Sequence, residues 1–481
     1  RGSWSSLSRQ QGNFMSAKTK IILGAIGLAG ALGATQAHAQ SATTEQVESL
    51  QKQIRALEKK LDSVQQKTFL NASAGYMPTK AKFAPPDVLV SMKGNRPTIC
   101  TADGFNCVGI TGRLHLDVGG YSYKPNTAAT TPQDLRDGVN ARRARIGLTG
   151  VFARDWEYAL IVDGGGSQDG TVTLNNAYVS YKGFKGMRIE GGYMDVPYTL
   201  DEATSSNNIT FMERASSQVL ATDLGAGDNR AAFGVRANDN WWWAGAYLTG
   251  PTTGYDHSLR APYAATGRLV FAPINTDAGA FLFGGDVLYL ADTGGAPNVN
   301  EIRMRERIEV RIDPTRVLDT GALANVNNAL VLSAEAAATV GSFHAQGEYF
   351  DYSISRFALP DLHFKGGYVQ AGYILTGEKR KYSASSGSLG GVSPANPFFW
   401  DMTGGTGAWE IAARYSYVDL NDKTIFGGTQ ENITVGLNWY LNDNMRMMFN
   451  WIHGTVQKTN LAGVDRGAKY DAFAMRTQFA F

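Results

Sequence analysis

The sequence predicts an all-β protein: a transmembrane antiparallel β-barrel of 16 strands with a short N-terminal periplasmic coiled coil. From residue 108 onward, segments of about ten residues alternate apolar and polar side chains, as expected for strands that cross an outer membrane. Aromatic residues gather at the ends of these segments, and the chain ends in Phe481, which is typical of outer-membrane barrels. Past residue 35, no apolar run reaches the roughly 18 residues of a transmembrane helix.

The strand count follows from these segments. In residues 108–123, for example, Leu114 and Leu116 point one way and His115 and Asp117 the other. Seventeen candidates begin near residues 108, 139, 156, 172, 187, 229, 241, 262, 279, 301, 329, 343, 366, 406, 431, 445 and 470. A bacterial barrel has an even number of strands, so we expect one error, in 301–328 or in the connection 379–405. A soluble β-sandwich or β-helix is the alternative fold.

Composition and charge limit the function. Charged residues make up 18% of the 481 residues, against about 25% in a typical soluble domain. The net charge is +2, but residues 1–39 contain four basic residues and no acid, so without them it is about −2. No basic field predicts a nucleic-acid partner.

The N-terminal residues predict export. Residues 1–14 precede Met15 and are interpreted as an upstream, non-native segment. Residues 15–39 have the pattern of a signal peptide, with two lysines, a short apolar stretch and a small-x-small cleavage site before Gln40. A membrane anchor is the alternative, but the apolar run is short for one.

Residues 40–67 predict a coiled-coil helix. Apolar residues spaced 3-4-3-4-3 from Val47 to Val64 form a seam that a single helix cannot bury, which predicts self-association. An amphipathic helix lying on the chain's own barrel is the alternative. Residues 68–107 predict a periplasmic linker, and residues 108–481 the barrel.

Two cysteines lie in the predicted linker. In an oxidising compartment Cys100 and Cys107 could form a disulfide; two free thiols are the alternative. A zinc site would need more ligands, and the sequence carries no metal or cofactor motif.

The segment from Glu301 to Asp313 places four arginines on one face: Arg303, Arg305, Arg307 and Arg311. Arginine on the lipid face costs about 2–4 kcal/mol near the midplane, so the row is expected to face the lumen and bind oxyanions. Pairing of the row with wall acids such as Glu309 is the alternative. Arg142, Arg143 and Arg145 add basic charge, and the polar stretch 195–228 is long enough to fold inward and narrow a pore.

At these residues the chain resembles the phosphate-selective porin O and P family. The resemblance is carried by RRARIGLTG (142–150), NNAYVSY (175–181), TSSNNITFMERA (204–215), GEYF (347–350), YILTGE (373–378), GAWEIAARYSYVDLND (407–422) and NWYLNDNMR (438–446). It implies a homotrimer of 16-stranded barrels in the outer membrane, in which anions pass an arginine ladder to a constriction.

The resemblance also implies roles for single residues. Arg142, Arg143 and Arg214 correspond to constriction arginines, Ser205 and Ser206 to hydroxyl donors, and Arg303, Arg305 and Arg307 to the ladder; Arg113 and Asn176 are weaker matches. Phosphate-specific members are rich in pore lysines, whereas this chain has none between Lys185 and Lys365. We therefore expect a preference for oxyanions such as phosphate or polyphosphate rather than strict phosphate specificity.

The predicted function is passive passage of small hydrophilic solutes, with small anions preferred. A general diffusion channel with little ion selectivity is the alternative. An enzyme is not expected, because the histidines form no recognisable catalytic motif. Expected partners are outer-membrane lipid, two further copies of the chain, and the cell wall through the coiled coil.

Overall fold

The computed structural model describes residues 88–126, 135–166, 171–401, 403–459 and 462–481. The predicted upstream segment, signal peptide and coiled coil lie outside these residues, as does the predicted linker up to residue 87. Among the described residues, no helix has the length and apolar character needed to cross a membrane.

Sixteen antiparallel strands form a closed ring, in which the last strand pairs with the first. This confirms the predicted fold class and strand number. The ring consists of β3 (Cys107–Pro125), β4 (Gly138–Phe152), β5 (Trp156–Asp163), β6 (Thr173–Tyr181), β7 (Met187–Val196), β8 (Gly227–Asp239), β9 (Trp242–Thr252), β10 (Tyr263–Asn275), β11 (Gly279–Asp292), β16 (Val326–Val340), β17 (Phe343–Arg356), β18 (Leu362–Ile374), β21 (Ala408–Asp422), β22 (Ile425–Tyr440), β23 (Met445–Gln457) and β24 (Ala468–Ala480).

A hairpin precedes the ring, within the segment predicted as a linker. Its strands are β1 (Val88–Lys93) and β2 (Arg96–Thr101), and β2 pairs with the first residues of β3. Cys100 and Cys107 are register partners in that pairing and are joined by a disulfide. We call the end of the barrel that holds Cys107 and Phe481 the terminal end, and the opposite end the distal end.

The strands form because their two faces meet different surroundings. On β3, Leu114, Leu116 and Val118 are exposed on the outer surface, whereas His115 and Asp117 are buried inside. The same alternation runs through the later strands, so the outer surface is an apolar band with polar groups enclosed. Stacked aromatic pairs such as Trp409 and Trp439 lie at the terminal end of this band, where aromatic girdles meet the membrane interface.

Three long connections fold against the inner wall. Residues 197–226 join β7 to β8 and carry α1 (Leu200–Ala203) and α2 (Ser216–Gly225). Residues 293–325 join β11 to β16 at the distal end, and residues 375–407 join β18 to β21 at the terminal end. They contain the two-residue strands β12 (Glu301–Ile302), β13 (Arg305–Glu306), β14 (Leu318–Asp319), β15 (Leu323–Ala324), β19 (Tyr382–Ser383) and β20 (Ser388–Leu389).

The wall strand predicted to begin at residue 301 is therefore wrong, and it is the one excess candidate. Met304, Ile308 and Val310 are buried, but they pack inside the barrel. An extended segment lying on an apolar surface shows the same two-residue alternation as a wall strand. The other sixteen candidates each correspond to a barrel strand.

The largest cluster of buried apolar residues lies inside the barrel. Met212 and Leu220 of the first connection and Met304 and Ile308 of the second pack with one another and with wall residues such as Tyr352. Gly366 of β18 allows the close approach of α2, because a Cβ there would lie 2.8 Å from Ser217 Cβ. The packed connections thus narrow the lumen and leave polar cavities along the rest of the wall.

Candidate functional site

Arginines of the wall hold the first connection by its backbone. Arg446 donates to the carbonyl oxygens of Ile209 (2.7 Å) and Thr210 (3.2 Å), and Arg414 to that of Glu213 (2.9 Å). Arg380, from the connection at the terminal end, donates to the carbonyl of Asn208 (2.7 Å). Other contacts of this kind come from Arg476 to Met212 and from Asn438 to Thr210. The segment 205–214 is therefore fixed in position across the lumen.

Glu213 is the centre of the largest ionic cluster on this segment. Its carboxylate accepts from Arg142 (2.8 and 3.1 Å) and from Arg476 (2.7 Å), and Arg311 lies 3.5 Å away. Burial raises the pKa of Glu213, but the charges of Arg142, Arg476, Arg311 and Arg143 outweigh it and hold the pKa well below its usual range. Because Arg476 also binds Asp117 and Arg311 also lies 3.5 Å from Glu306, the cluster joins guanidinium groups of β4, β24 and the second connection to several buried acids.

A β-bulge places Arg142 in this cluster. His115 pairs with Arg143 and Leu116 with Ala141, so Arg142 is an extra residue on β4. Because a bulge locally breaks the alternation of side chains, both Arg142 and Arg143 reach the interior. Regular pairing would have turned one of them toward lipid.

Part of the predicted constriction set lines a cavity of about 350 Å³ on the inner side of β3–β7, whereas Arg142 and Arg143 are not among its lining residues. We call it the middle cavity. Ser205 and Ser206 line it, and both accept hydrogen bonds from Arg113, at 3.4 and 2.5 Å. The other predicted residues that line it are Arg145, Asn176 and Arg214.

The arginines of the middle cavity are oriented by neighbouring groups. Arg145 pairs with Asp163 (2.7 Å), and Arg214 pairs with Glu202 (3.3 Å) while donating to the carbonyls of Asp201 and Thr204. The lining includes four arginines, the fourth being Arg96 of the hairpin, but only two acids, Asp195 and Glu202. The cavity thus has an excess of positive charge together with hydroxyl donors, which are the groups that bind oxyanions.

The predicted arginine ladder is divided between different environments. Arg303 pairs with Asp319 (2.5 Å), and Arg311 lies 3.5 Å from both Glu213 and Glu306. Glu309 binds wall residue Arg414 instead of the row. The continuous row along a wall strand is therefore wrong, although its arginines do face the interior.

Arg305 and Arg307 differ from their neighbours, because neither side chain forms an ion pair among the described residues. Arg305 is exposed, whereas Arg307 is half-buried and its Nε is buried without a hydrogen-bond partner in the described structure. Burial and the positive charges of Arg316 and Arg311 lower the pKa of Arg307 to about 10. Glu306 offsets part of this effect at Arg307, but no acid among the described residues forms an ion pair with either guanidinium.

Two further cavities share the excess of basic groups. A distal cavity of about 380 Å³ is lined by four arginines and two acids: Arg230, Arg303, Arg305, Arg316, Asp223 and Glu301. A cavity of about 370 Å³ at the terminal end is lined by three basic groups and one acid: Lys379, Arg380, Lys381 and Asp277. Basic groups thus exceed acids in the linings of all three cavities.

Sequence reasoning missed the arginines that hold the connections. Arg380, Arg414 and Arg446 are buried and bind backbone carbonyls that lie far from them in sequence. Arg414 on β21 and Arg446 on β23 each occupy an inward position of the two-residue alternation. The sequence pattern therefore did indicate that both side chains face the interior. Their hydrogen-bond partners could not be read from that pattern.

Comparison with known proteins identifies the family of the chain. The family model described as phosphate-selective porin O and P matches residues 108–481. Porin O of Pseudomonas aeruginosa is 28% identical over 437 residues, which cover 82% of this chain and 93% of that protein. Among solved structures, OmpT of Vibrio cholerae in a trimer form aligns with a TM-score of 0.49 at 10% identity, covering 78% of this chain and 99% of that one. An anion-selective porin from Comamonas acidovorans aligns with a TM-score of 0.46 at 13% identity, covering 78% and 100%.

A closed barrel with an even number of strands and an apolar outer band belongs in the bacterial outer membrane. The porin family model and the barrel fold indicate a channel rather than an enzyme. With the family model matching from the first barrel strand to the last residue, the chain belongs to the phosphate-selective porin O and P family and is an outer-membrane channel.

Proposed function

We propose that this channel prefers small oxyanions, including phosphate and polyphosphate, over cations. The observation that carries the proposal is the positive charge of Arg305 and Arg307, which form no ion pair among the described residues, beside Arg311 and Arg316. An anion near Arg307 would offset the burial and the repulsion that together lower the pKa of this guanidinium. The preference extends along the lumen because the distal, middle and terminal cavities each carry an excess of basic groups.

The arrangement suits passage rather than tight binding. Conduction requires sites that are favourable enough to enter and shared over several positions, so that an ion can leave each one. Arg142, Arg145 and Arg214 each pair with an acid of the protein. The acid weakens the attraction of the arginine for a passing anion, but N–H donors remain on the guanidinium. Ser205 and Ser206 add neutral hydroxyls in the middle cavity. We infer that anions exchange among these groups as they cross the constriction.

The proposal is tested by removing the two unpaired charges. A unit charge about 5 Å from an ion in an aqueous pore contributes about 0.8 kcal/mol, or about 0.5 kcal/mol after screening at 0.1 M salt. Anion and cation respond in opposite directions, so the double variant Arg305→Gln/Arg307→Gln should lower the chloride-to-potassium permeability ratio by at least about fivefold. The measurement is the reversal potential of purified protein in planar bilayers under a potassium chloride gradient.

Arg154→Gln is the matched control, because Arg154 is exposed in the short turn between β4 and β5. It should leave the ratio unchanged, and added phosphate should reduce the chloride current of the wild type. A wild-type permeability ratio near one, with no effect of phosphate and none of the double variant, would favour the alternative of a general diffusion channel. Ion pairs such as Arg236–Glu190 and Arg268–Glu335 would then only balance charge.

We further propose that the channel is a homotrimer whose N-terminal coiled coil, residues 40–67, strengthens the trimer or reaches the cell wall. Support comes from the heptad spacing between Val47 and Val64 and from the family resemblance. Deletion of residues 45–66 should reduce the temperature at which trimers dissociate in detergent, or the amount of protein that co-sediments with peptidoglycan. Both readouts unchanged would contradict this role.

A further inference from the structure

Three buried carboxylates lie together on the inner wall, away from the arginine cavities. Asp286 of β11, Glu335 of β16 and Glu348 of β17 each offer an oxygen, and these oxygens lie within 4.8 Å of one another. All three residues are at most 5% exposed. No motif marks the group in the sequence, because its members come from three different strands.

The register places two of the acids in direct opposition. Glu335 and Glu348 are cross-strand partners, a position at which like charges are destabilising. Arg268 neutralises one of them through two hydrogen bonds to Glu335, at 2.9 and 3.1 Å, and lies 3.5 Å from Asp286. With all three acids ionised, two negative charges remain without a cation among these groups. Burying them without a counter-charge would cost several kcal/mol for each ion.

The nearest groups of the first connection do not supply that charge. Glu348 accepts from the backbone N–H of Leu200 (2.7 Å) and from the Tyr368 hydroxyl (2.7 Å), and Ser333 donates to Asp286 (2.7 Å). These donors are neutral, and the neighbouring Asp201 adds a further acid. The group therefore lacks positive charge rather than hydrogen bonds.

Tyr198 gives an independent sign of a missing ligand. Its hydroxyl has no hydrogen-bond partner among the described residues, although the side chain is only 1% exposed. Burial, followed by the charge of Asp286, raises the pKa of Tyr198 well above its usual value, and the Ser333 side chain, which donates to Asp286, acts in the opposite direction. Asp286 Oδ1 is likewise buried without a hydrogen bond in the described structure, and its charged neighbour is Arg268 Nε at 3.5 Å.

We propose that Asp286, Glu335, Glu348 and the Tyr198 hydroxyl bind one calcium ion. The ligands are all oxygen atoms, which excludes a preference for zinc or copper, and calcium accepts an irregular set of carboxylates and neutral oxygens. A divalent ion balances the two uncompensated charges. It would also link the wall to the constriction, since Leu200 and Tyr198 belong to the connection that narrows the pore.

The binding test uses the full-length protein in detergent, treated with EDTA and titrated with Tb³⁺, which occupies calcium sites and emits when excited through nearby tyrosines. We expect tyrosine-sensitised emission that saturates near one Tb³⁺ per chain and that Ca²⁺ displaces. Asp286→Asn and Tyr198→Phe should weaken binding by about tenfold or more, because fewer oxygen ligands and less charge remain. Glu157→Gln is the control, as this acid pairs with Lys182 and Arg188 elsewhere on the barrel.

Thermal unfolding of the wild type provides a readout that does not depend on a variant. Calcium should raise its unfolding temperature relative to EDTA. The proposal would be overturned if the wild type showed neither sensitised Tb³⁺ emission nor a rise of its unfolding temperature with calcium. Protons shared among the carboxylates would then neutralise the acids. Equal Tb³⁺ affinity in the wild type, Asp286→Asn and Tyr198→Phe would also overturn it, because binding would then lie elsewhere. Neither readout depends on the proposed anion preference.

Discussion

Arg476 offers the sharpest test of how the constriction is held in place. The side chain is fully buried on β24 and donates to both carboxylate oxygens of Asp117, at 2.6 and 2.7 Å, and to Glu213 at 2.7 Å. It also donates to the carbonyl of Met212. Replacement by methionine keeps much of the volume but removes all of these donors.

The expected loss can be worked out from the partners. Asp117 is 0% exposed, and Arg476 is its only ion-pair partner among the described residues, so Arg476→Met leaves a buried carboxylate without a counter-charge. Breaking a buried pair in this way costs about 3–5 kcal/mol. Glu213 contributes less to the loss, because Arg142 and Arg311 remain beside it. Adding Asp117→Asn removes the stranded charge and should restore about 2 kcal/mol.

The free energy of unfolding is measured by urea titration of the protein in lipid vesicles, with tryptophan fluorescence as the signal. Arg154→Met is the control and should lie within about 0.5 kcal/mol of the wild type, since Arg154 is exposed. Single-channel recordings of Arg476→Met should show added current noise, because the segment at Met212 loses an anchor. If Arg476→Met and the double variant with Asp117→Asn are equally unstable, the pair is not coupled and the reasoning fails.

Two further predictions concern charge and covalent structure. Asp223 is exposed to the distal cavity, and enclosure by the surrounding protein together with the negative charge of Glu306 raises its pKa to about 6, so that it becomes neutral as the pH falls through that value. The chloride-to-potassium permeability ratio of the wild type should therefore rise below about pH 6. Reversal potentials of Asp223→Asn should give, at neutral pH, the ratio that the wild type shows at acid pH. A wild-type ratio that does not change with pH would contradict this. The variant Cys100→Ser/Cys107→Ser lacks the disulfide, whose closure of a short loop stabilises the folded segment by about 2–3 kcal/mol. Limited proteolysis followed by mass spectrometry should therefore show faster cleavage within residues 88–106, while the barrel stays protected. Equal cleavage rates with and without the disulfide would contradict it.

Much of the barrel could be predicted because a wall strand is specified locally. Each strand needs an apolar face for lipid and a polar face for the lumen, and this requirement imprints a two-residue period on the sequence. The period places Leu114 outside and His115 inside without knowledge of the partner strand. The terminal strand shows the same effect, with Phe473 and Phe479 exposed and Arg476 buried.

The excess candidate at residue 301 marks the limit of that signal. Met304, Ile308 and Val310 alternate with arginines because one side of an extended segment rests on the apolar core and the other faces a cavity. Glu306, which breaks the apolar side of the pattern, is buried between Arg311 and Arg316. A local pattern records that a segment has two faces, but it does not record whether the apolar face meets lipid or protein.

By itself, the sequence determined the barrel, because a wall strand depends on the alternation within its own segment, and the rule of an even strand number reduced seventeen candidates to sixteen. It did not determine every arginine that faces inward, since the bulge turns Arg142 inward against the alternation. The tertiary structure decided which inward charges are neutralised. Arg303 pairs with Asp319 and Arg476 with Asp117, whereas Arg305 and Arg307 form no ion pair among the described residues. The grouping of Asp286 with Glu335 and Glu348 was decided in the same way. Electrostatic interactions in a low-dielectric interior depend on distances of a few ångströms between residues far apart in the chain, and only the closed barrel sets those distances.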